Sequence, residues 1–86
     1  MRFGYHKNFK KQYKKFPKTI RQKCDQRLII FAQNPFDPLL HNHPLLGKYQ
    51  RYRSINITAD IRALYEPISD NEVLFVFLGT HSELYS

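Results

Sequence analysis

Val73-Leu74-Phe75-Val76-Phe77-Leu78, continued by Gly79-Thr80-His81-Ser82-Glu83-Leu84-Tyr85-Ser86, is the stretch on which the fold turns. An unbroken apolar run rich in β-branched and aromatic side chains predicts a strand in the middle of a sheet. The chain then leaves the core and presents a histidine, with an aromatic four residues later. A titratable group held at the end of a rigid strand is well placed for proton transfer. A plain tail with an incidental histidine is the simpler alternative.

Two further strands precede this one, over 49–57 and 61–66, and Ser69-Asp70-Asn71 supplies the turn into the last strand, 72–78. Ile55 and Ile57 share one face by strand alternation, as do Ile61, Ala63 and Tyr65. Both sets reach the core only if the intervening turn is Thr58-Ala59-Asp60, with Asp60 in the left-handed region such turns end on. That register places Asn56 opposite Arg62, on the other, partly open face with Tyr52 and Ser54. Arg53 has the opposite parity, and reaches the same place only from a sheet end or beside a bulge.

At the other end of the chain, Arg2-Phe3-Gly4-Tyr5 reads as a short strand near a sheet edge. Phe9, Tyr13 and Phe16 recur at helical spacing, and Ile20, Cys24, Leu28 and Phe31 make a second stripe after Pro17. Asn34-Pro35 stops that helix. Residues 35–48 form an ordered loop with three prolines and two histidines, His41 and His43. The expected fold is therefore α+β: one domain over 1–86, two N-terminal helices on one face of a mostly antiparallel sheet of about four strands, in the order β-α-α-β-β-β.

Net charge is +7, and it is unevenly placed. Residues 1–28 hold ten Lys or Arg against the single acid Asp25, whereas residues 29–86 hold four against six acids. Such asymmetry favours a polyanion or an acidic protein as partner. Lys7, Lys10, Lys11, Lys14, Lys15 and Lys18 are the expected contacts. One cysteine excludes an internal disulfide. No signal peptide and no membrane-length apolar run is apparent, so a cytoplasmic protein without membrane contact is expected.

The histidines lack ligand spacing and Cys24 is helical, so no metal and no cofactor is expected. Only three glycines occur, and no phosphate loop. What remains is an acid–base kit beside cationic charge: His43, Asn56, Asp60, Arg62, His81 and Tyr85. RNA cleavage requires little more, because the substrate brings its own 2′-OH nucleophile. The protein must take that proton, protonate the leaving 5′ oxygen and steady the phosphorus charge. Singly, each residue has an ordinary explanation: His43 capping a loop, Asp60 satisfying its turn, Arg62 pairing with Glu66 or Asp60.

His43-Pro44-Leu45-Leu46-Gly47, Tyr52-Arg53, Ile61-Arg62-Ala63-Leu64-Tyr65 and Gly79-Thr80-His81-Ser82-Glu83-Leu84-Tyr85, in this order after a basic helix pair, resemble the RelE/ParE toxin superfamily, and within it the YafQ-like branch. The resemblance covers nearly the whole chain. It implies a RelE-like fold and a bacterial or archaeal type II toxin. It further implies a metal-independent endoribonuclease that cuts messenger RNA, commonly on the ribosome, and is silenced by an acidic cognate antitoxin. By position, His43, Asp60, Arg62, His81 and Tyr85 match family site residues, and Arg53 stands where relatives carry Lys or Arg. Asn56 replaces a family histidine, and Ile61 a tryptophan. A ParE-like gyrase inhibitor needing no acid–base groups, a degenerate module that only binds RNA or antitoxin, and a plain RNA-binding domain are the alternatives.

Overall fold

The computed structural model describes residues 1–85. In chain order the elements are β1 (Arg2–Tyr5), α1 (Lys7–Lys15), α2 (Lys18–Gln33), β2 (His43–Pro44), β3 (Arg53–Asn56), β4 (Ile61–Ser69), β5 (Glu72–Thr80) and α3 (His81–Tyr85), with 3-10 turns at Pro38–Leu40 and Gly47–Tyr49. The five strands run in the spatial order β1-β5-β4-β3-β2. Only β1–β5 is parallel; the other pairs are antiparallel. The α+β class holds. The sheet has five strands rather than about four, because the His43–Pro44 bridge extends its far edge, where a proline costs no ladder bond.

The apolar run does form an inner strand, β5. Its outer neighbour β1 covers only Glu72–Phe75. Beyond that point α1 lies along the exposed edge. Asn8 Nδ2 donates to the Val76 carbonyl at 3.2 Å. Gln12 Oε1 accepts from the Leu78 N–H at 2.7 Å. Two amide side chains one helical turn apart thus satisfy strand groups that would otherwise invite edge pairing.

Both predicted stripes face this sheet. Phe9, Cys24 and Phe31 are buried against Ile55, Ile57, Ala63, Tyr65, Phe75 and Leu78, with Tyr13, Phe16, Ile20 and Leu28 packed partly buried around them. Phe31 meets Tyr65 edge-on at 4.9 Å and Phe75 at 5.4 Å. Rings in this arrangement add to what area burial alone supplies. His6 begins α1: its Nδ1 accepts from the Asn8 N–H at 3.0 Å.

The hairpin register is as the alternation demands, with Asn56 paired to Arg62 and Ile55 to Ala63. Strand β3 is shorter than 49–57, because Gly47–Tyr49 is a 3-10 turn. Asp60 is not left-handed; among the described residues the positive-φ positions are His41 and Gly47. Thr58 Oγ1 instead accepts from the N–H groups of Asp60 and Ile61, which closes the turn without a left-handed residue.

The second face is less open than alternation suggested. Ser54 and Leu64 are fully buried there. Tyr49, Tyr52, Phe77 and Tyr85 roof them as a chain of edge-on and tilted rings. The end of β5 also continues into a helix rather than a tail. Thr80 and Glu83 form a reciprocal capping box: the Thr80 N–H donates to Glu83 Oε1 at 2.9 Å and the Glu83 N–H to Thr80 Oγ1 at 3.1 Å. Leu84 then drops into the roof, close over Gly79.

Candidate active site

Three chain segments converge beside the β3–β4 turn. The first is the loop that ends in β2. His41 adopts φ 47°, ψ 45°, a left-handed conformation uncommon outside glycine. This turns its carbonyl toward His43, whose Nδ1 lies 2.7 Å from the oxygen. A carbonyl only accepts, so Nδ1 carries the proton and Nε2 is the free acceptor of the neutral ring.

The second segment is the hairpin. Arg62 Nη1 donates to the carbonyls of Thr58 and Ala59, each at 3.0 Å, and more weakly to that of Ile61. Neither Glu66 nor Asp60 pairs with it; the one ion pair among the described residues is Arg2–Glu72. Nη2 and Nε make no hydrogen bond among the described residues, so one edge of the fork is held and the other can grip an anion. Asn56 stands directly across the ladder.

The third segment is α3. The His81 N–H donates to the Asp60 carbonyl at 2.9 Å, which pins the histidine to the hairpin turn. Its ring lies 4.6 Å from that of Tyr85, and Tyr85 in turn meets Tyr49 edge-on at 6.0 Å. The Thr80 hydrogen bonds, backbone first, hold the exposed Glu83 carboxyl below its usual range, with Lys15 adding to the effect.

Together these segments line a cleft of about 450 Å³ walled by His41, His43, Leu45, Asn56, Arg62, His81 and Tyr85. Of the residues singled out in the sequence, His43, Asn56, Arg62, His81 and Tyr85 meet here. Asp60 does not line the cleft, and contributes its backbone carbonyl. Arg53 points elsewhere: its Nε donates to Asn42 Oδ1 at 2.8 Å and its guanidinium lies over Phe36 at 5.3 Å. Its pairing partner is Tyr65, a residue of the helix-covered face; the bulge at Leu64/Tyr65 lies in the β4–β5 pairing and does not bring Arg53 across. The lysines Lys7, Lys10, Lys11, Lys14 and Lys15 are exposed along α1, and Lys18 opens α2; none lines the cleft. Lys10 and Lys14 border a separate groove between the two helices.

His41 was missed as a site residue. Its place depends on a left-handed backbone that no local pattern announces, although His41-Asn42-His43 spacing puts two imidazoles within one short bend. Among the described residues no group of three or more His, Cys, Asp or Glu is arranged to hold a metal ion.

Residues 1–86 match the model of the family described as a bacterial toxin of type II toxin–antitoxin system, YafQ. The chain belongs to the YafQ toxin family. Among solved structures, YafQ from Escherichia coli superposes with a TM-score of 0.83 at 23% identity, covering 100% of both chains. A YoeB/ParE toxin from Agrobacterium tumefaciens gives 0.78 at 21% identity over 94% of this chain and 99% of that one. The E. coli DinJ–YafQ complex gives 0.72 at 24% identity, covering 100% of both chains. No protein of curated function matches the sequence. The RelE/ParE-type fold is thus shared across these toxins, and this YafQ-family member is a toxin of the type II class. No helix of the described chain is long and apolar enough to cross a membrane.

Proposed function

We propose that this YafQ-family toxin is an endoribonuclease that cuts messenger RNA on the ribosome by metal-independent acid–base catalysis. The observation that carries the reading is the convergence of two imidazoles from distant segments, His43 and His81, on the cleft that also holds the Arg62 fork. His43 Nε2, left as acceptor by the Nδ1 hydrogen bond, takes the proton of the 2′-OH. The oxygen attacks phosphorus, and the free edge of Arg62 stabilises the charge that builds on the non-bridging oxygens. His81 protonates the departing 5′ oxygen. Asn56, opposite Arg62, cannot act as a base near neutral pH but can donate an amide N–H to the same phosphate. Tyr85 orients the His81 ring and offers a face to a neighbouring base.

The exposed lysines of α1 and Lys18 contact ribosomal RNA phosphates, an interaction that weakens steeply with salt. The silencing partner is an acidic antitoxin, as the assembly of YafQ with DinJ in E. coli suggests. The reading places the toxin in the cytoplasm, where its substrate is, as a single domain.

The test is induced expression with mapping of transcript ends, comparing wild type with His81→Ala. New 5′ ends within coding regions in the wild type alone support the reading. Growth arrest with unbroken transcripts and inhibited supercoiling would replace it with a gyrase-directed toxin, and RNA binding with neither effect would leave only a binding module.

A further inference from the structure

Two arginines grip the same hairpin turn. Arg62, on the face of β4 away from the helices, holds the carbonyls of Thr58 and Ala59. Arg27, from α2 on the helix side, donates its Nε to the Ile57 carbonyl at 3.4 Å. The two guanidiniums are thus anchored on consecutive residues, which advance by at most roughly 3.5 Å each. A second cleft of about 630 Å³ opens beside Arg27, with Lys23 and Leu39 in its lining. It shares His41 and Asn56 with the catalytic cleft, so the two clefts adjoin at those residues. Among the described residues no carboxylate lines either part. The Asp37 carboxylate nearby is occupied by the Leu39 N–H at 2.9 Å.

We propose that this second cleft binds the phosphodiester adjacent to the scissile one in the same RNA strand, with Arg27 and Lys23 as its cations. The inference rests on the endoribonuclease reading and extends it. Arg27 is half-buried, and its one hydrogen bond among the described residues, from Nε, leaves its Nη groups to meet a phosphate. Lys23, on the same helix face four residues earlier, adds a mobile charge. Leu39, exposed and apolar at the cleft wall, can underlie a ribose or base. A single strand laid through the groove would meet Arg62 and Arg27 at successive phosphates, which fixes the register of the strand against His43 and His81.

The experiment measures binding of a short 2′-O-methyl oligoribonucleotide, which lacks the nucleophile and cannot be cut, by fluorescence anisotropy over a salt series. Lys23→Ala and Arg27→Gln are each expected to lower the slope of log Kd against log salt by about 0.7, the value for one single-strand phosphate contact. Lys23 makes no hydrogen bond among the described residues, so its variant folds even if Arg27→Gln does not. Arg2→Gln, which removes an equal charge at the opposite end of β5, is expected to keep the wild-type slope. Wild-type slopes in both groove variants, or an equal fall in Arg2→Gln, would overturn the assignment. So would groove variants that bind RNA normally but lose affinity for an acidic peptide. If the wild type cuts natural RNA while both groove variants keep its slope, only the second cleft is wrong. If the slopes fall as expected and no natural RNA is cut, the cleft stands and the nuclease reading fails.

Discussion

The backbone N–H of His81 donates to the carbonyl of Asp60, so the C-terminal histidine is fastened to the same turn that Arg62 holds through Thr58 and Ala59. The imidazole and the guanidinium therefore spring from backbone tied to one short turn rather than from two independent loops. That is the pre-organisation a proton donor and a phosphate grip require if they are to act on one bond.

Arg62 has two duties, and substitutions should separate them. Arg62→Ala removes the anion grip and unties the turn, with a stability loss of about 1–3 kcal/mol for hydrogen bonds from a charged donor. Arg62→Lys keeps the charge but not the fork. RNA cleavage is expected to fall at least about tenfold in both variants, while the thermal midpoint falls less for Lys than for Ala. Full cleavage by Arg62→Lys would show that a point charge suffices.

Glu83 is expected to make the helix that carries His81 sensitive to acid. Its carboxyl is held below its unfolded value of 4.5 by the Thr80 hydrogen bonds. A lowered folded pKa contributes stability that is present above the unfolded value and lost as pH falls through the folded one. The amide resonances of α3 are therefore expected to lose dispersion below about pH 4.5, before the β4–β5 core unfolds. Glu83→Gln, which can still close a capping box, should remove this step. An identical acid profile in the two proteins would separate the capping box from the effect.

Ser54 Oγ is buried with no hydrogen-bond partner among the described residues, between the His43 and Leu64 strands of the second face. An unsatisfied hydroxyl there costs about 1–3 kcal/mol of desolvation. Ser54→Ala is expected to raise the denaturant midpoint with an unchanged slope. A lower midpoint would mean that the hydroxyl is satisfied.

Cys24 is fully buried, and burial, then the nearby Asp25, pushes its thiol up to about 12. It should resist alkylation in the native protein at mildly alkaline pH and label only as the chain unfolds. Labelling at the rate of an exposed thiol would place α2 differently.

How far the sequence reached depended on whether a periodic pattern was present. Ile55 and Ile57 set against Ile61, Ala63 and Tyr65 fix strand parity, and parity alone put Asn56 across from Arg62. The same parity argument places Arg53 on the Tyr65 side; family position suggested otherwise, and the physical argument prevailed. The His43–Pro44 bridge is too short to carry a period. Helix α3 has only five residues, yet Thr80 and Glu83 stand at capping-box spacing, a signal that would have found it. The aromatic roof of Tyr49, Tyr52 and Tyr85 gathers residues far apart in sequence and on no common stripe, so it was not legible. The left-handed His41 was equally silent.

The central claim is that His81 delivers the proton to the departing 5′ oxygen while Arg62 holds the same phosphate. It is tested most directly with an RNA in which that oxygen is replaced by sulfur, a leaving group that departs without being protonated. His81→Ala is expected to cut the normal linkage at least about a hundredfold more slowly than wild type, and the sulfur linkage at nearly the wild-type rate. Equal impairment of the variant on both linkages would contradict the assignment of His81 as the acid.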